Sequence, residues 1–287
     1  MNFKNAKELL KLCETYSLPI SSIMLEREIA MEQASKEEIL IQMDKVWNTM
    51  KTSATLALQH PVSSVGGLIG GEAKLFHENF KQNSLLCGCV LERAITYSLA
   101  VLEVNASMGV IVAAPTAGSS GIVPGLLLAL QEQYHFSDSQ IISTLFNAGA
   151  IGYLAMRNAT VAGAVGGCQA EVGIASAMAS SAAVELLGGT PTQSLNAATT
   201  VLMNMLGLVC DPVGGLVEYP CQLRNTSGVS NALTAAAIAL SGITQLIPFD
   251  EMLSTMYSVG KRLPMELRET ALGGCAATPS GCSACQK

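Results

Sequence analysis

Apolar positions along the chain recur mostly at helical spacing and seldom alternate. Ile39, Leu40, Met43, Val46 and Trp47 form one such stripe, and Ser35 with Glu38 makes a capping box ahead of it. By the same pattern residues 3–16 and 21–50 read as amphipathic helices, with further helices over 84–103, 126–134, 229–247 and 250–260. Ser137 with Gln140 caps another. Thr190-Pro191-Thr192-Gln193 is a strong start, combining an N-cap, a proline at the first helical position and a glutamine at the third. Val110-Ile111-Val112 is the best strand candidate, and it is short. Two segments rich in glycine and serine interrupt the helices: HPVSSVGGLIGG (60–71) and NASMGVIVAAPTAGSSGIVPG (105–125). No internal repeat is present. The pattern predicts a mainly α, compact helical domain over 1–287 with glycine-rich loops converging on a central site. An N-terminal helical segment occupies 1–55 and a cysteine-containing tail occupies 276–287.

Composition sharpens this. Apolar residues make up 49% of the 287, enough for a large core, and exclude a disordered chain. Charged residues are 13%, against about 25% in ordinary domains. The net charge of −6, with no basic run, argues against nucleic-acid binding through phosphates. Placement is uneven. Residues 1–103 carry 22 charges, whereas 104–249 carry eight: Glu132, Asp138, Arg157, Glu171, Glu185, Asp211, Glu218 and Arg224.

Three charge-free runs, 104–131, 186–210 and 225–249, exceed the roughly 20 residues that span a bilayer. Their residue types argue against a membrane. Alanine, glycine, serine, threonine and asparagine dominate, prolines interrupt the first run, and neither aromatic belts nor flanking Lys/Arg are present. The middle therefore reads as a tightly packed core. The start, MNFKNAKELLKLCE, is amphipathic and of mixed charge, unlike a signal peptide. Nine cysteines without such a signal point to the reducing cytoplasm, where metal binding or catalysis is the commoner use of thiols.

Cys13, Cys87 and Cys89 fall in helical segments and read as plain buried thiols. Cys168 in VGGCQAEVG, Cys210 in LVCDPVGG and Cys221 in EYPCQLRN each adjoin glycine or proline. Each therefore sits where a helix starts or stops and where free backbone N–H groups support a thiolate. Their separations of 42 and 11 residues form no paired motif, so spacing alone leaves open whether they share a metal. Three thiolates would suit one particular task. A [4Fe–4S] cluster with four cysteines transfers electrons, but one with three leaves an iron open as a Lewis acid. A pocket lined by Gly, Ser, Thr and Asn would suit a small polar substrate.

The segments NASMGVIVAAPTAGSSGIVPG, VGGCQAEVG, LVCDPVGGLVEYPC and LRETALGG, in that order, resemble the α-chain of the bacterial iron–sulfur-dependent L-serine dehydratases. The resemblance is clearest from about residue 55 to 275. It implies an all-α fold and conversion of L-serine to pyruvate and ammonia at a [4Fe–4S] cluster. Carried over residue by residue, the cluster ligands fall on Cys168, Cys210 and Cys221. The APTAGSSG loop would hold the substrate carboxylate and amine through Thr116, Gly118, Ser119 and Ser120, with Asn105, Ser63 and Ser64 completing the pocket. Single-chain relatives carry a further N-terminal domain. The resemblance here is to the α-subunit of the two-chain type, which implies a separate β-chain, a hetero-oligomer, and a base or part of the pocket supplied by that partner. His60 is the local candidate for the base. The alternative within this chemistry is an iron–sulfur L-cysteine desulfidase.

One argument stands apart from the resemblance. Serine is also dehydrated by pyridoxal phosphate enzymes, which need a Schiff-base lysine. No lysine lies between Lys81 and Lys261, so a lysine in the polar-lined middle is unavailable and the metal route fits better. The tail adds Cys275, Cys282 and Cys285; Cys282-x₂-Cys285 is half a zinc knuckle. In some single-chain relatives a C-terminal cysteine occupies the open iron until substrate displaces it. That makes Cys282 or Cys285 a possible fourth ligand.

Overall fold

The computed structural model describes residues 1–82 and 86–284. The described residues form helices and no strand; their one β pairing is an isolated bridge between Cys210 and Arg268. The mainly α reading holds. Three helices open the chain: α1 (Ala6–Tyr16), α2 (Ile20–Glu32) and α3 (Lys36–Gln59). The first glycine-rich loop leads into α4 (Glu72–Gln82) and α5 (Cys89–Ala106), and the second separates α5 from α6 (Ile122–Tyr134). Then come α7 (Asp138–Asn158), the single turn α8 (Gly163–Gly166), α9 (Cys168–Leu186) and α10 (Pro191–Asn204). The chain ends with α11 (Cys221–Leu240), α12 (Phe249–Arg262) and α13 (Pro279–Ala284).

Helix α9 is the axis of the molecule. It packs against α6, α7, α10, α11 and α12. Nearly every residue along CQAEVGIASAMASSAAVEL is buried, so the helix has no polar face, as expected of a helix enclosed on all sides. Its small side chains let neighbours approach closely. Its hydroxyls are satisfied internally: Ser176 donates to the Val172 carbonyl (2.7 Å) and Ser181 to Asn147 Oδ1 (2.6 Å). This accounts for the run of small residues between Glu171 and Glu185, which holds no leucine. No helix among the described residues is long and apolar enough to cross a membrane.

The N-terminal segment belongs to the same core. Phe3, Leu9, Ile20, Ile23 and Trp47 are fully buried in one cluster with the α9 residues. Asp250, at the start of α12, accepts from the Ala6 N–H (2.8 Å) and the Lys7 N–H (3.2 Å), tying the first turn of α1 to the far end of the chain.

All three capping boxes form, at Ser35/Glu38, Ser137/Gln140 and Thr190/Gln193. Several boundaries differ from the sequence reading. The helix expected over 21–50 is two, broken at Gln33, which takes a left-handed φ of 52° just before the Ser35 cap. Helix α11 begins eight residues before the expected 229, because the Pro220 turn, not the later apolar pattern, starts it. Val110-Ile111-Val112 is irregular, since no partner strand exists for it among the described residues. Cys87 is exposed rather than buried: it precedes Gly88, the N-cap of α5, and so lies outside the helix.

One surface network joins α3 to α7. Asp138 accepts from Lys51 Nζ (2.7 Å), Gln131 Nε2 (2.8 Å) and Trp47 Nε1 (3.0 Å). Lys51 first, then Gln131 and Trp47, hold its carboxyl down at about 2. A carboxyl depressed from about 3.9 stabilises the fold above that pH and loses its contribution as pH falls through 2. Asp138→Asn is therefore expected to lower the urea midpoint at pH 7, with a cost of about 0.5–1 kcal/mol for so exposed a pair. The gap to the parent protein should close as the pH falls toward 2; a gap that stays constant would refute the assignment.

Candidate metal centre

Cys168 is the first residue of α9 and Cys221 the first of α11. Both thiols thus sit at helix N-termini, where unpaired N–H groups and the positive end of the helix favour a thiolate. Gly167 makes the first placement possible. Its φ is +75°, and a Cβ there would lie 2.8 Å from the Leu208 carbonyl oxygen. Cys210 lies between α10 and α11 and is gripped through its backbone. Its N–H donates to the Leu267 carbonyl (2.9 Å), and its carbonyl accepts from the Glu269 N–H (2.7 Å). The LRETALGG segment therefore positions this cysteine.

All three cysteines are buried. One ligand atom each from Cys168, Glu171 and Cys210 lies within 4.8 Å of the others. Cys221 falls outside that tight group but close by. Its thiol is pushed up to about 12, by burial first and then by the neighbouring Cys168 charge. The Cys210 thiol is raised by its hydrogen bond with Cys168 and by burial. A metal bound here would displace the protons that burial favours on the Cys210 and Cys221 thiols. The donors are soft thiols in a buried site, a set that suits zinc or an iron–sulfur cluster. The structure thus presents a Cys–Glu–Cys group able to hold a metal, with a third cysteine beside it.

Charged side chains enclose these donors. Arg224 stands three residues beyond Cys221 on one face of α11. It donates to Cys168 Sγ (3.6 Å) and the Val209 carbonyl (2.8 Å), and pairs with Asp211 (2.6 Å). The second Asp211 oxygen accepts from the Cys275 N–H (2.6 Å). Glu171, three residues beyond Cys168, is a group into which Cys210 Sγ points at 3.7 Å. Burial raises the Glu171 carboxyl, against a hydrogen bond from the Thr116 hydroxyl that lowers it.

The loops meet this group from above. Thr116, Gly118, Ser119 and Ser120 form a tight turn. Thr116 Oγ1 and Ser119 Oγ are 3.0 Å apart, and Ser120 Oγ donates to the Ala117 carbonyl (2.7 Å). Asn225, on α11, donates to the Gly118 carbonyl (2.8 Å) and accepts from the Gly121 N–H (3.1 Å), which locks the turn to the Cys221 helix. The first glycine-rich loop is organised by Glu218. That carboxylate accepts from Ser64 Oγ (2.6 Å), the Gly66 N–H (2.6 Å) and the Leu68 N–H (3.0 Å). Ser64 is therefore buried and fully engaged, while Ser63 beside it is exposed. Asn105 lies half-buried in the last turn of α5, and the Val65 N–H reaches the neighbouring Ala106 carbonyl (2.9 Å). His60 caps the C-terminal end of α3 and is exposed.

The structure therefore brings Cys168, Cys210 and the Thr116–Ser120 turn around Glu171, with Cys221 beside them. Cys282 is not in the group: it is exposed on α13, and its thiol donates to the Ala276 carbonyl (3.5 Å). Cys285 lies outside the described residues.

Glu171, Asp211, Glu218 and Arg224 were not singled out by the sequence reading, although a signal was present. They are half of the eight charges in 104–249, and each lies within three residues of one of the three cysteines. A charge retained in a nearly uncharged core needs a partner or a task.

The model of the family described as Serine dehydratase alpha chain matches residues 15–276. The chain is similar to a Bacillus subtilis (strain 168) protein named "Probable L-serine dehydratase, alpha chain". It is 47% identical over 279 residues, covering 97% of this chain and 93% of that one. It is also similar to "L-serine dehydratase, alpha chain" of Peptoniphilus asaccharolyticus, at 45% over 276 residues, covering 96% and 94%. A Haemophilus influenzae protein named "L-serine dehydratase" is 37% identical over 284 residues, but this chain covers 61% of its length.

Proposed function

The chain belongs to the serine dehydratase alpha chain family, and from that premise we propose that it is the α-subunit of an L-serine ammonia-lyase forming pyruvate and ammonia. The single observation that carries this reading is the buried Cys168–Glu171–Cys210 group, whose ligand atoms lie within 4.8 Å of one another although the two cysteines are 42 residues apart in the chain, with the buried Cys221 thiol near enough to feel Cys168. The cofactor is a [4Fe–4S] cluster held by those three cysteines. Such a cluster, when bound, offers one open iron as a Lewis acid that makes hydroxide a better leaving group.

The chain's own residues do the rest. Arg224, against Cys168 Sγ, and the two helix N-termini favour the thiolate forms that ligation needs. Thr116, Gly118, Ser119 and Ser120 take the substrate carboxylate and amine. Ser119 and Ser120 do so chiefly by fixing the turn, because both are fully buried. Asn105 and Ser63 border the pocket, and Ser64 holds its loop to Glu218. The α-proton goes to a base supplied by a separate β-chain or by His60. The β-chain is supported by the "alpha chain" names of the relatives and by the greater length of the single-chain ones. The assembly would be a cytoplasmic hetero-oligomer.

Anaerobic purification with and without the β-chain tests the reading. Expected are iron and sulfide bound by this chain and pyruvate formed from L-serine, with little turnover of L-cysteine to sulfide. Dehydration by a protein free of iron would refute it.

A further inference from the structure

Glu171 has no part in the ligand set just described, yet it is the nearest oxygen donor to it. We propose that the Glu171 carboxylate is the resting ligand of the open iron, released when the substrate hydroxyl takes its place. This rests on the reading of the site as a three-cysteine cluster.

Geometry is the first support. Glu171 shares the tight group with Cys168 and Cys210, all three ligand atoms lying within 4.8 Å of one another. It projects from the same helix face as Cys168, one turn on. The second support is a cradle shaped around it. A Cβ on Gly163 would collide with Glu171 Oε2 and lie 3.0 Å from Cys210 Sγ. A Cβ on Gly118 would stand 3.6 Å from Oε1. Gly163 thus leaves room for a carboxylate beside the thiols, and the Gly118 turn packs against its other oxygen at ordinary contact distance.

The third support is that the buried rival carboxylates, Asp211 and Glu218, and the Cys282 thiol are engaged elsewhere, whereas Glu269, which also acts on this group, is exposed. Asp211 is held by Arg224 and the Cys275 N–H, Glu218 by the Ser64–Leu68 loop, and the Cys282 thiol by Ala276. The fourth is a link to substrate. The Thr116 hydroxyl hydrogen-bonds Glu171 from the substrate loop. An amino acid seated on that loop and a carboxylate leaving the metal are therefore coupled through one hydroxyl. The exchange is balanced: one oxygen ligand leaves, one arrives, no electron moves, and the freed carboxylate keeps its bond from Thr116.

The test uses the anaerobic wild-type enzyme, together with Glu171→Gln and Glu171→Asp. Electron–nuclear double resonance of the reduced wild-type cluster, in oxygen-17-enriched water, should show no solvent oxygen on the unique iron before substrate is added. Glu171→Gln should keep three-thiolate ligation but lose that iron to mild oxidation about ten-fold faster, read as a three-iron signal, and Glu171→Asp should restore retention in part. A water-derived oxygen on the substrate-free wild-type iron overturns the proposal, as does an unchanged rate of iron loss in Glu171→Gln. So does a unique-iron spectrum that changes with Cys282→Ser or Cys285→Ser. If Glu171→Gln fails to fold, the wild-type spectrum decides alone. A water-capped cluster would sink this proposal and leave the lyase reading standing, whereas a protein without iron would sink both.

Discussion

Replacing Cys168, Cys210 or Cys221 singly with serine is expected to remove bound iron and lower pyruvate formation by at least about 100-fold, while leaving the helical circular dichroism intact. The size follows from the division of labour. Changing a residue that merely orients a metal ligand costs roughly 10–100-fold, and loss of a ligand costs more. The fold should survive because serine is nearly isosteric and the neighbouring polar groups can pair with its hydroxyl. Cys210 is also held through its backbone by Leu267 and Glu269, which the substitution leaves untouched. Cys87→Ser is the control: that thiol is exposed, and iron and activity should stay at the parent level. A variant of Cys168, Cys210 or Cys221 that loads iron normally would remove that residue from the ligand set.

Much of the architecture was legible because helix signals are local. The Ser35, Ser137 and Thr190 caps each act within four residues, and all three appear where the sequence places them. The glycine- or proline-flanked cysteines were legible for a related reason: Gly167 and Pro220 end the preceding segment and put a thiol at the first position of a helix. What the sequence did not reveal depends on distant partners. Ser64 and Glu218 are 154 residues apart, so the bond by which this serine ties its loop to Glu218 could not be read from local spacing. Thr116 and Glu171 meet only because α9 runs beneath the loop. The start of α11 was missed because residues 221–228, CQLRNTSG, carry little apolar periodicity, and burial of Cys221, Asn225 and Gly228 settles it instead.

The Arg224–Asp211 pair should dominate the stability of the metal-free centre. The two side chains are mostly buried, with 15% and 3% of their surface exposed, and meet at 2.6 Å. Arg224 also closes a bond to the Val209 carbonyl, and Asp211 one from the Cys275 N–H, so the pair ties α11 to the Cys210 loop and to the tail. Removing one partner of a buried pair strands the other charge, at a cost of about 3–5 kcal/mol. Arg224→Met should therefore lower the unfolding free energy by that amount, because Asp211 keeps its contacts to Cys275 but loses its counter-charge. Asp211→Asn should cost about 2–3 kcal/mol, since its amide still offers one acceptor oxygen but no charge. The double variant should be no worse than Arg224→Met alone, a coupling of about 2 kcal/mol between contacting groups. Urea titration of the four metal-free proteins measures this cycle. Simple additivity of the two single costs would mean that the pair contributes nothing through its charges and that the loss comes from packing. The same cycle separates stability from ligation. Arg224 also touches Cys168 Sγ, so Arg224→Met and the double variant should both bind iron more weakly than Asp211→Asn, whatever their relative stabilities.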